Sequence, residues 1–155
     1  MKTDNNDSGV AAWLLQVDRL VNVAIGQFEL IHIIDEPDYM GIPQAPDYCK
    51  DVVLWNNNIV PVMSLASWLT SCLQVDNTGV VAIVVYEDEQ GKHKFGGIKL
   101  SSPPVQAKVK NSQQCQLTDD FDKWRKVSLS SFKSKTGDIV PIIDVSKLFS
   151  HVLLS

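Results

Sequence analysis

The chain has 155 residues, 45% of them hydrophobic, and its 18 acidic and 14 basic side chains give a net charge of −4. This length supports one domain with a full hydrophobic core. The acidic balance argues against a protein that binds nucleic acid through general positive charge. No apolar stretch is long enough to cross a membrane, and the polar residues 1–10 predict a disordered tail without a secretion signal, so we expect a cytoplasmic protein.

The first third of the chain predicts a hairpin followed by a long loop. Residues 13–17 and 20–25 are apolar runs rich in β-forming side chains, and the polar pair between them suits a hairpin turn. Residues 27–34 form either a helical turn or a further strand. Prolines at positions 37, 43 and 46 then interrupt regular structure, which predicts an extended surface loop.

A second hairpin is predicted around three consecutive asparagines. Residues 52–55 and 59–63 are strand-like, and they flank Asn56, Asn57 and Asn58. Asparagine accepts a positive φ more readily than most residues with a side chain, so this triplet predicts a tight turn. Because Pro61 cannot donate a backbone hydrogen bond, we expect its strand at a sheet edge or with a local bulge.

The rest of the sequence predicts further short strands separated by turns. Residues 80–86 have the strongest β propensity in the chain and predict a central strand. Later strands are predicted at 95–100, 105–109, 127–132 and 139–143. Gly96 and Gly97 match no phosphate-binding motif and suit closely packed strands. Such a succession of strands indicates small β-barrels and not alternating βαβ units.

A fifteen-residue pattern occurs twice, at residues 59–73 and again 80 positions later at residues 139–153. Each copy predicts a short strand with a proline, then Ser64 or Asp144 as a helix N-cap, and then an amphipathic helix. The apolar helix positions are Leu65, Trp68, Leu69, Cys72 and Leu73 in the first copy and Val145, Leu148, Phe149, Val152 and Leu153 in the second. The repeat predicts two similar lobes that share one core.

Charge differs between the two halves of the chain. Residues 1–90 hold three basic and thirteen acidic side chains, whereas residues 91–155 hold eleven basic and five acidic ones. Such an asymmetry could attract two different partners or favour head-to-tail association. Solvation of the second half by its lysines explains the pattern equally well.

No sequence motif for catalysis or metal binding is present. The histidines at 32, 93 and 151 and the cysteines at 49, 72 and 115 do not have the spacing of metal ligands. No Ser/His/Asp or Cys/His set forms a local motif, so we predict no enzyme, no cofactor and no metal. Basic side chains of residues 123–135 alternate with Trp124 and Phe132, which leaves nucleic-acid binding as a minor hypothesis.

Residues 43–65, PQAPDYCKDVVLWNNNIVPVMSL, resemble the hallmark segment of CheW-like chemotaxis coupling proteins. That hallmark has a P-x-x-P opening, an aromatic residue, a glycine with two apolar residues, an arginine-glycine turn, and an apolar strand with a proline that ends in Asp-Leu. The strand at 139–143 with Asp144 is similar to the family's closing strand, and residues 80–100 resemble the hairpin that opens its second lobe. The resemblance covers most of residues 13–150.

The resemblance implies a mainly β fold: two SH3-like five-stranded β-barrel lobes that share one hydrophobic core, with short helices after Ser64 and Asp144. Residues 11–155 would form this single domain. It also implies a non-enzymatic adaptor that couples chemoreceptor cytoplasmic tips to the regulatory domain of a CheA-type histidine kinase. Recruitment to membrane-associated receptor arrays would follow, without membrane insertion or nucleic-acid binding. Residues 36–39 most resemble the branch that serves type IV pilus systems.

Three positions depart from the family pattern. Asp51 replaces the glycine, Asn56 and Asn57 replace the arginine-glycine turn, and Ser64 replaces the first aspartate. Asn57 can still adopt a positive φ and Ser64 can still cap a helix, so the fold is expected to persist. The arginine, a charged group with five donors, becomes a neutral amide, which predicts a specialised or weakened set of partners.

The first-lobe turn, residues 51–58, and the seam between the lobes are predicted to bind partner protein. The predicted contact residues in the turn are Asp51, Val53, Trp55, Asn56, Asn57 and Asn58. Trp55 is the predicted anchor, because large aromatic side chains dominate interface energetics; a core position in the first barrel is at least as probable an interpretation. A sensor that binds a small molecule or second messenger between the barrels is the alternative function, and a hydrolase with a dispersed site is a weaker one.

Overall fold

The computed structural model describes residues 9–18, 21–70, 79–117 and 122–149, and most of them are in β-strands. In chain order the strands are β1 (Val10–Asp18), β2 (Val21–Gly26), β3 (Leu30–Ile34), β4 (Met40–Gly41), β5 (Asp51–Trp55), β6 (Asn58–Met63), β7 (Val80–Glu87), β8 (His93–Leu100), β9 (Val105–Val109), β10 (Gln114–Cys115), β11 (Ser128–Lys133) and β12 (Ile139–Ile143). The helices are α1 (Leu65–Thr70), α2 (Asp122–Arg125) and α3 (Val145–Lys147), and 3-10 turns occupy Asp47–Cys49 and Asn111–Gln113.

The strands form two six-stranded sheets with the same topology. We call the sheet with the order β3-β7-β8-β6-β5-β4 lobe 1, and the sheet with the order β9-β1-β2-β12-β11-β10 lobe 2. In both, the third and fourth strands run parallel and the other neighbours run antiparallel. Each lobe has the five longer strands that were predicted and one additional strand, β4 or β10, which at two residues is too short to leave a hydrophobic pattern in the sequence.

Lobe 2 is assembled from both ends of the chain, whereas lobe 1 is continuous. The predicted N-terminal hairpin is confirmed as β1 and β2, which pair with β9 and β12 from the C-terminal half. Residues 30–34 adopt the strand alternative and pair with β7, which is an interior strand as predicted. Strand β1 begins at Val10, inside the predicted tail. Residues 1–8, 19–20, 71–78, 118–121 and 150–155, which include predicted turn and helix positions, lie outside the described residues.

The repeated strand-to-helix corner is confirmed. The backbone N–H of Ser67 donates to Ser64 Oγ at 3.4 Å, and the backbone N–H of Lys147 donates to Asp144 Oδ1 at 3.2 Å. Both side chains therefore cap the first turn of their helices. The strands that precede them also match in register, since Val62 pairs with Gly97 and Ile142 pairs with Ala24. The 80-residue offset thus relates equivalent positions in the two lobes.

The expectation that Pro61 lies in an edge or bulged strand is wrong. Strand β6 lies between β5 and β8, and its register with β5 is continuous. Proline is tolerated there because the parallel pairing with β8 comprises only Val62 and Met63, so Pro61 precedes it. Pro141 has the same position in β12, one residue before Ile142, which pairs with Ala24 of β2.

One hydrophobic core joins the two lobes, as the repeat predicts. Leu65 from α1 and Val145, Leu148 and Phe149 from the second corner are buried in the same cluster. Its other buried members are Leu15, Val17, Val23, Ile25, Cys49, Met63, Ala82, Val84, Ile98, Leu100, Trp124, Val127 and Ile143. Smaller clusters fill the interior of each lobe, around Val53 and Val60 in lobe 1 and around Phe132 and Val140 in lobe 2.

Gly96 and Gly97 have a packing role, in agreement with the prediction. A Cβ atom on Gly96 would lie 2.3 Å from Cζ of Phe149, whose ring stacks on Tyr86 with centroids 5.3 Å apart. A Cβ atom on Gly97 would lie 3.0 Å from a Val81 methyl group. Close approach of the second corner to lobe 1 therefore requires the absence of a side chain at position 96.

Candidate partner-binding surface

The asparagine turn has the predicted backbone. Asn56 and Asn57 adopt φ values of 51° and 63°, and Trp55 pairs with Asn58 across the two-residue loop. Two central residues with positive φ define a turn whose twist matches that of the flanking strands. The Asn58 amide donates to the Asn56 carbonyl at 3.0 Å, and all three asparagines are exposed. The turn therefore projects a fixed, uncharged polar tip into solvent.

The hairpin behind this tip carries an exposed apolar pair that we call the hairpin pair, Leu54 and Ile59. These two residues lie directly opposite each other on β5 and β6, and they are 64% and 70% exposed. Val53 points to the other side of the sheet and is buried in the lobe 1 cluster. Val53 therefore supports the hairpin from within and does not itself form part of its surface.

Lobe 2 has a lysine at the position equivalent to Leu54. There Lys133 pairs with Ile139, as Leu54 pairs with Ile59 in lobe 1. Since the same strand pair folds with an exposed lysine, the fold itself does not require a leucine at this position. The apolar character of the hairpin pair is consequently a property of the surface of lobe 1.

Trp55 lies between the surface and the core. It is partly buried against the lobe 1 cluster, its ring meets Phe95 edge to face with centroids 5.2 Å apart, and His32 lies 5.8 Å away. These contacts agree with the interpretation of Trp55 as a core residue at the end of the barrel. The Trp55 and Phe95 rings pack on the interior of lobe 1 directly behind the asparagine turn, and the exposed His32 ring lies next to Trp55.

Asp51 is engaged inside lobe 1. Its Oδ2 atom accepts a hydrogen bond from Lys99 Nζ at 2.9 Å, and the two side chains are only 14% and 13% exposed. The Lys99 ammonium also lies 4.5 Å from the centroid of the Tyr39 ring. Burial, and to a smaller extent the Asp51 carboxylate, raises the pKa of Tyr39 to about 12. The residue that replaces the family glycine is therefore one member of an internal ion pair.

The seam between the lobes is filled by side chains of the shared core, and one aromatic residue beside it is exposed to solvent. The chain crosses from lobe 2 to lobe 1 in the turn between β2 and β3, where Phe28 is 85% exposed. The Glu29 carboxylate accepts a hydrogen bond from the Gly26 N–H at 2.7 Å, and the Glu29 carbonyl accepts one from Val85 at 2.9 Å. Burial raises the pKa of Glu29, and Asp144 adds to that effect.

Charges are arranged differently in the two lobes. The ion pairs Lys94–Asp88 and Lys99–Asp51 lie in lobe 1, where the His93 ring also contacts the Glu87 carboxylate at 3.2 Å. The exposed lysines of lobe 2 at positions 108, 110, 133 and 135 pair with no described carboxylate. Trp124 and Phe132 are buried, so their rings cannot stack on bases as the nucleic-acid hypothesis requires.

The described residues contain no group of three or more His, Cys, Asp or Glu side chains that could hold a metal ion. Among the helices of that same part of the chain, none has the length and apolar composition needed to cross a bilayer.

Sequence reasoning located the hairpin but not its exposed surface. Leu54 and Ile59 alternate with the buried Val53 and Val60, so a period-two analysis of β5 and β6 would have placed the hairpin pair on the opposite face. The Asp51–Lys99 pair joins residues 48 positions apart, so no local sequence pattern predicts it.

Comparison with known proteins agrees with this architecture. The family model described as CheW-like domain matches residues 12–153. The crystal structure of the scaffolding protein TtCheW from Thermoanaerobacter tengcongensis is similar in fold, with a TM-score of 0.69 at 12% identity over 92% of this chain and 88% of that chain. No curated protein sequence matches the chain. Because the family model spans nearly all of the two-lobed structure, the chain belongs to the family of CheW-like domains.

Proposed function

We propose that this protein is a non-enzymatic adaptor that couples chemoreceptor cytoplasmic tips to the regulatory domain of a CheA-type histidine kinase. Membership of the CheW-like family supports the adaptor role. The observation that carries the proposal in this chain is the hairpin pair, an exposed apolar surface at a position where lobe 2 has a lysine. Exposed apolar side chains on a rigid strand pair form the centre of many protein interfaces.

The hairpin offers a pre-formed surface to a partner. The asparagine turn, the aromatic cluster behind it and the Asp51–Lys99 pair fix its backbone, so little conformational entropy is lost on binding. The exposed acidic residues Asp35, Glu36 and Asp38 precede β4 at the rim of lobe 1, and they favour a partner with basic residues around an apolar centre.

The predicted site residues divide into two groups under this proposal. Asn56, Asn57 and Asn58 are exposed and can contact a partner, while Trp55 supports them from behind. Asp51 and Val53 act only through the shape of the hairpin, because the first is paired with Lys99 and the second is buried. With Asn56 in place of the family arginine, the turn supplies no charge, and the hairpin pair becomes the dominant contact.

Binding measurements with a matched control test this proposal. We expect Leu54→Lys, which introduces the residue found at the equivalent position of lobe 2, to weaken binding of the kinase regulatory domain by about tenfold or more. Leu129→Lys is the control, because Leu129 is 68% exposed on β11 and lies in the other lobe. Titration by calorimetry against a CheA-type regulatory domain and against a chemoreceptor tip fragment provides the readout.

Two results would contradict the proposal. Equal binding by the Leu54→Lys and Leu129→Lys variants would remove the hairpin pair as the contact surface. Absence of binding to any CheA-type regulatory domain would count against the adaptor role itself. Two narrower expectations, recruitment to receptor arrays and the type IV pilus branch, come from the resemblance; a gene neighbourhood without chemoreceptor or pilus genes would argue against both. The core side chains that fill the seam provide no support for a small-molecule sensor between the lobes.

A further inference from the structure

A shallow cavity of about 130 Å³ opens at one end of lobe 2. Its apolar floor consists of Val109, Phe132 and Ile142, and its polar wall consists of Lys110, Asn111, Gln114, Ser130 and Ser131. The volume is below the range of about 300–1,000 Å³ that is typical of pockets for drug-sized ligands. It suits a single side chain or a small anion.

The equivalent place in lobe 1 is filled by an ion pair. Ser130 pairs with Ile142 as Asp51 pairs with Val62, so Ser130 is the counterpart of Asp51. Ala24 pairs with Ile142 as Gly97 pairs with Val62, so Ala24 and Gly97 are counterparts. Two residues further along the same strands, Gly26 is therefore the counterpart of Lys99. Lobe 2 therefore has a hydroxyl where lobe 1 has a carboxylate, and the cavity lies beside that hydroxyl. At Gly26 the Glu29 carboxylate takes the side-chain space, with Oε1 3.0 Å from the Cβ position, so this part of lobe 2 is filled.

The polar wall of the cavity is composed of hydrogen-bond donors without an acidic partner. Lys110, Asn111, Gln114 and Ser130 can all donate, and the lining contains no carboxylate. Lys110 is exposed and pairs with no described carboxylate. Lysines at 108, 133 and 135, also unpaired with any described acid, add positive potential to the same lobe.

The loops at this end of the two lobes also differ in charge. Ile83 of β7 and Leu14 of β1 are equivalent positions, and they pair with His32 and Val105, respectively. His32 and Val105 are therefore counterparts, and so are Asp35 and Lys108, each three residues further along the chain. The segment after β3 contains Asp35, Glu36 and Asp38, whereas the segment after β9 contains Lys110 and Asn111. The segment after β3 thus supplies carboxylates, and the segment after β9 supplies only cationic and neutral donors.

We propose that the lobe 2 cavity binds a carboxylate from outside the chain, either a free small acid or the side chain of an acidic protein segment. The carboxylate takes the place that Asp51 occupies in lobe 1, with the Lys110 ammonium as its counter-ion and Ser130 as a hydrogen-bond donor. This inference rests on the geometry of lobe 2 and is independent of the proposed adaptor function.

Nuclear magnetic resonance titrations of the full chain test the site. The probes are succinate and the peptide acetyl-Glu-Gly-Glu-amide, each at constant ionic strength, with acetyl-Gln-Gly-Gln-amide as the uncharged control. We expect saturable shifts at the amides of residues 109–114 and 130–132 with the acidic probes and none with the control peptide. Shifts with both acidic probes support the site for either source, and shifts with only one probe support the site and identify the source of the carboxylate. No saturable shift with either probe overturns the proposal.

Three variants test the assigned roles. Lys110→Met removes the counter-ion, keeps most of the side-chain stem, and is expected to weaken binding by about fivefold or more. Lys126→Met, at an exposed lysine outside the cavity lining, is expected to bind as the unmodified chain does. Ser130→Asp introduces the lobe 1 carboxylate and is expected to abolish binding in a chain whose spectrum remains that of a folded protein. Equal affinity of the Lys110→Met and Lys126→Met variants would overturn the assignment.

Discussion

The internal ion pair of lobe 1 provides a direct test of how this structure is stabilised. Replacing Lys99 with methionine removes the ammonium group and keeps a side chain of similar length. The Asp51 carboxylate, which accepts a hydrogen bond from Lys99 Nζ at 2.9 Å, then keeps its 14% exposure and loses its cation. Tyr39, whose ring lies 4.5 Å from the ammonium group, offers no compensating charge.

The expected cost follows from the burial of the pair. Removal of one partner from a buried ion pair destabilises proteins by about 3–5 kcal/mol, because the remaining charge is left unpaired. Partial exposure of both side chains places Lys99→Met at about 3 kcal/mol. Asp51→Ser, which introduces the residue present at the lobe 2 position, removes the orphaned charge. We expect the double variant to lose only about 1 kcal/mol, because replacement of both partners is often nearly neutral.

Urea unfolding at pH 7, followed by tryptophan fluorescence and circular dichroism, measures these free energies in a double-mutant cycle. A loss below about 1 kcal/mol for Lys99→Met, or additive losses in the cycle, would refute the argument.

The same variants also test the role of Asp51 in binding. If Asp51 is structural, a folded Asp51→Ser sample binds the kinase domain normally; weakened binding in a folded sample would restore Asp51 as a contact residue.

Three further predictions concern packing, ionisation and capping. Gly96→Ala should lower the free energy of unfolding by about 1–3 kcal/mol, because the new methyl group would lie 2.3 Å from the Phe149 ring. Gly41→Ala, with no atom within 4 Å of its Cβ position, serves as a nearly neutral control, and thermal melts compare the two variants. Tyr39, with a pKa raised from 10.0 to about 12 by burial, should ionise late in an absorbance titration at 295 nm. Its contribution to stability is complete below pH 10 and is lost as the pH rises towards 12. Persistence of the late ionisation step in Tyr39→Phe would contradict the assignment. Asp144→Ala should cost about 1 kcal/mol in urea unfolding through loss of the helix cap, and an unchanged midpoint would show that the cap contributes nothing.

Local signals predicted the corners and turns of this fold with few errors. Ser64 and Asp144 cap helices because a short polar side chain before an apolar helical pattern satisfies free backbone N–H groups. Asn56 and Asn57 form the hairpin turn because their backbone accepts a positive φ at low cost. Such interactions involve residues no more than a few positions apart, so the sequence contains all the information they need.

The error at Pro61 and the incomplete account of the candidate site arose from pairings between distant segments. Proline is accepted in an interior strand only because β8 begins to pair one residue later, and no property of residues 58–63 specifies that register. Likewise, the sequence did not show that Asp51 pairs with Lys99, because that pairing depends on the position of β8 relative to β5. Asp51 was therefore predicted to contact a partner.

The sequence alone determined that two similar strand-to-helix corners pack on one shared core, because the 80-residue repeat retains both the caps and the buried apolar positions. Tertiary structure decided which surfaces those lobes expose. The order of strands in each sheet leaves Leu54 and Ile59 in solvent, places Lys99 beside Asp51 in lobe 1, and leaves a cavity beside Lys110 in lobe 2. The physical reason is that burial and ion pairing depend on which strands become neighbours, and that choice is made by the packing of the whole chain.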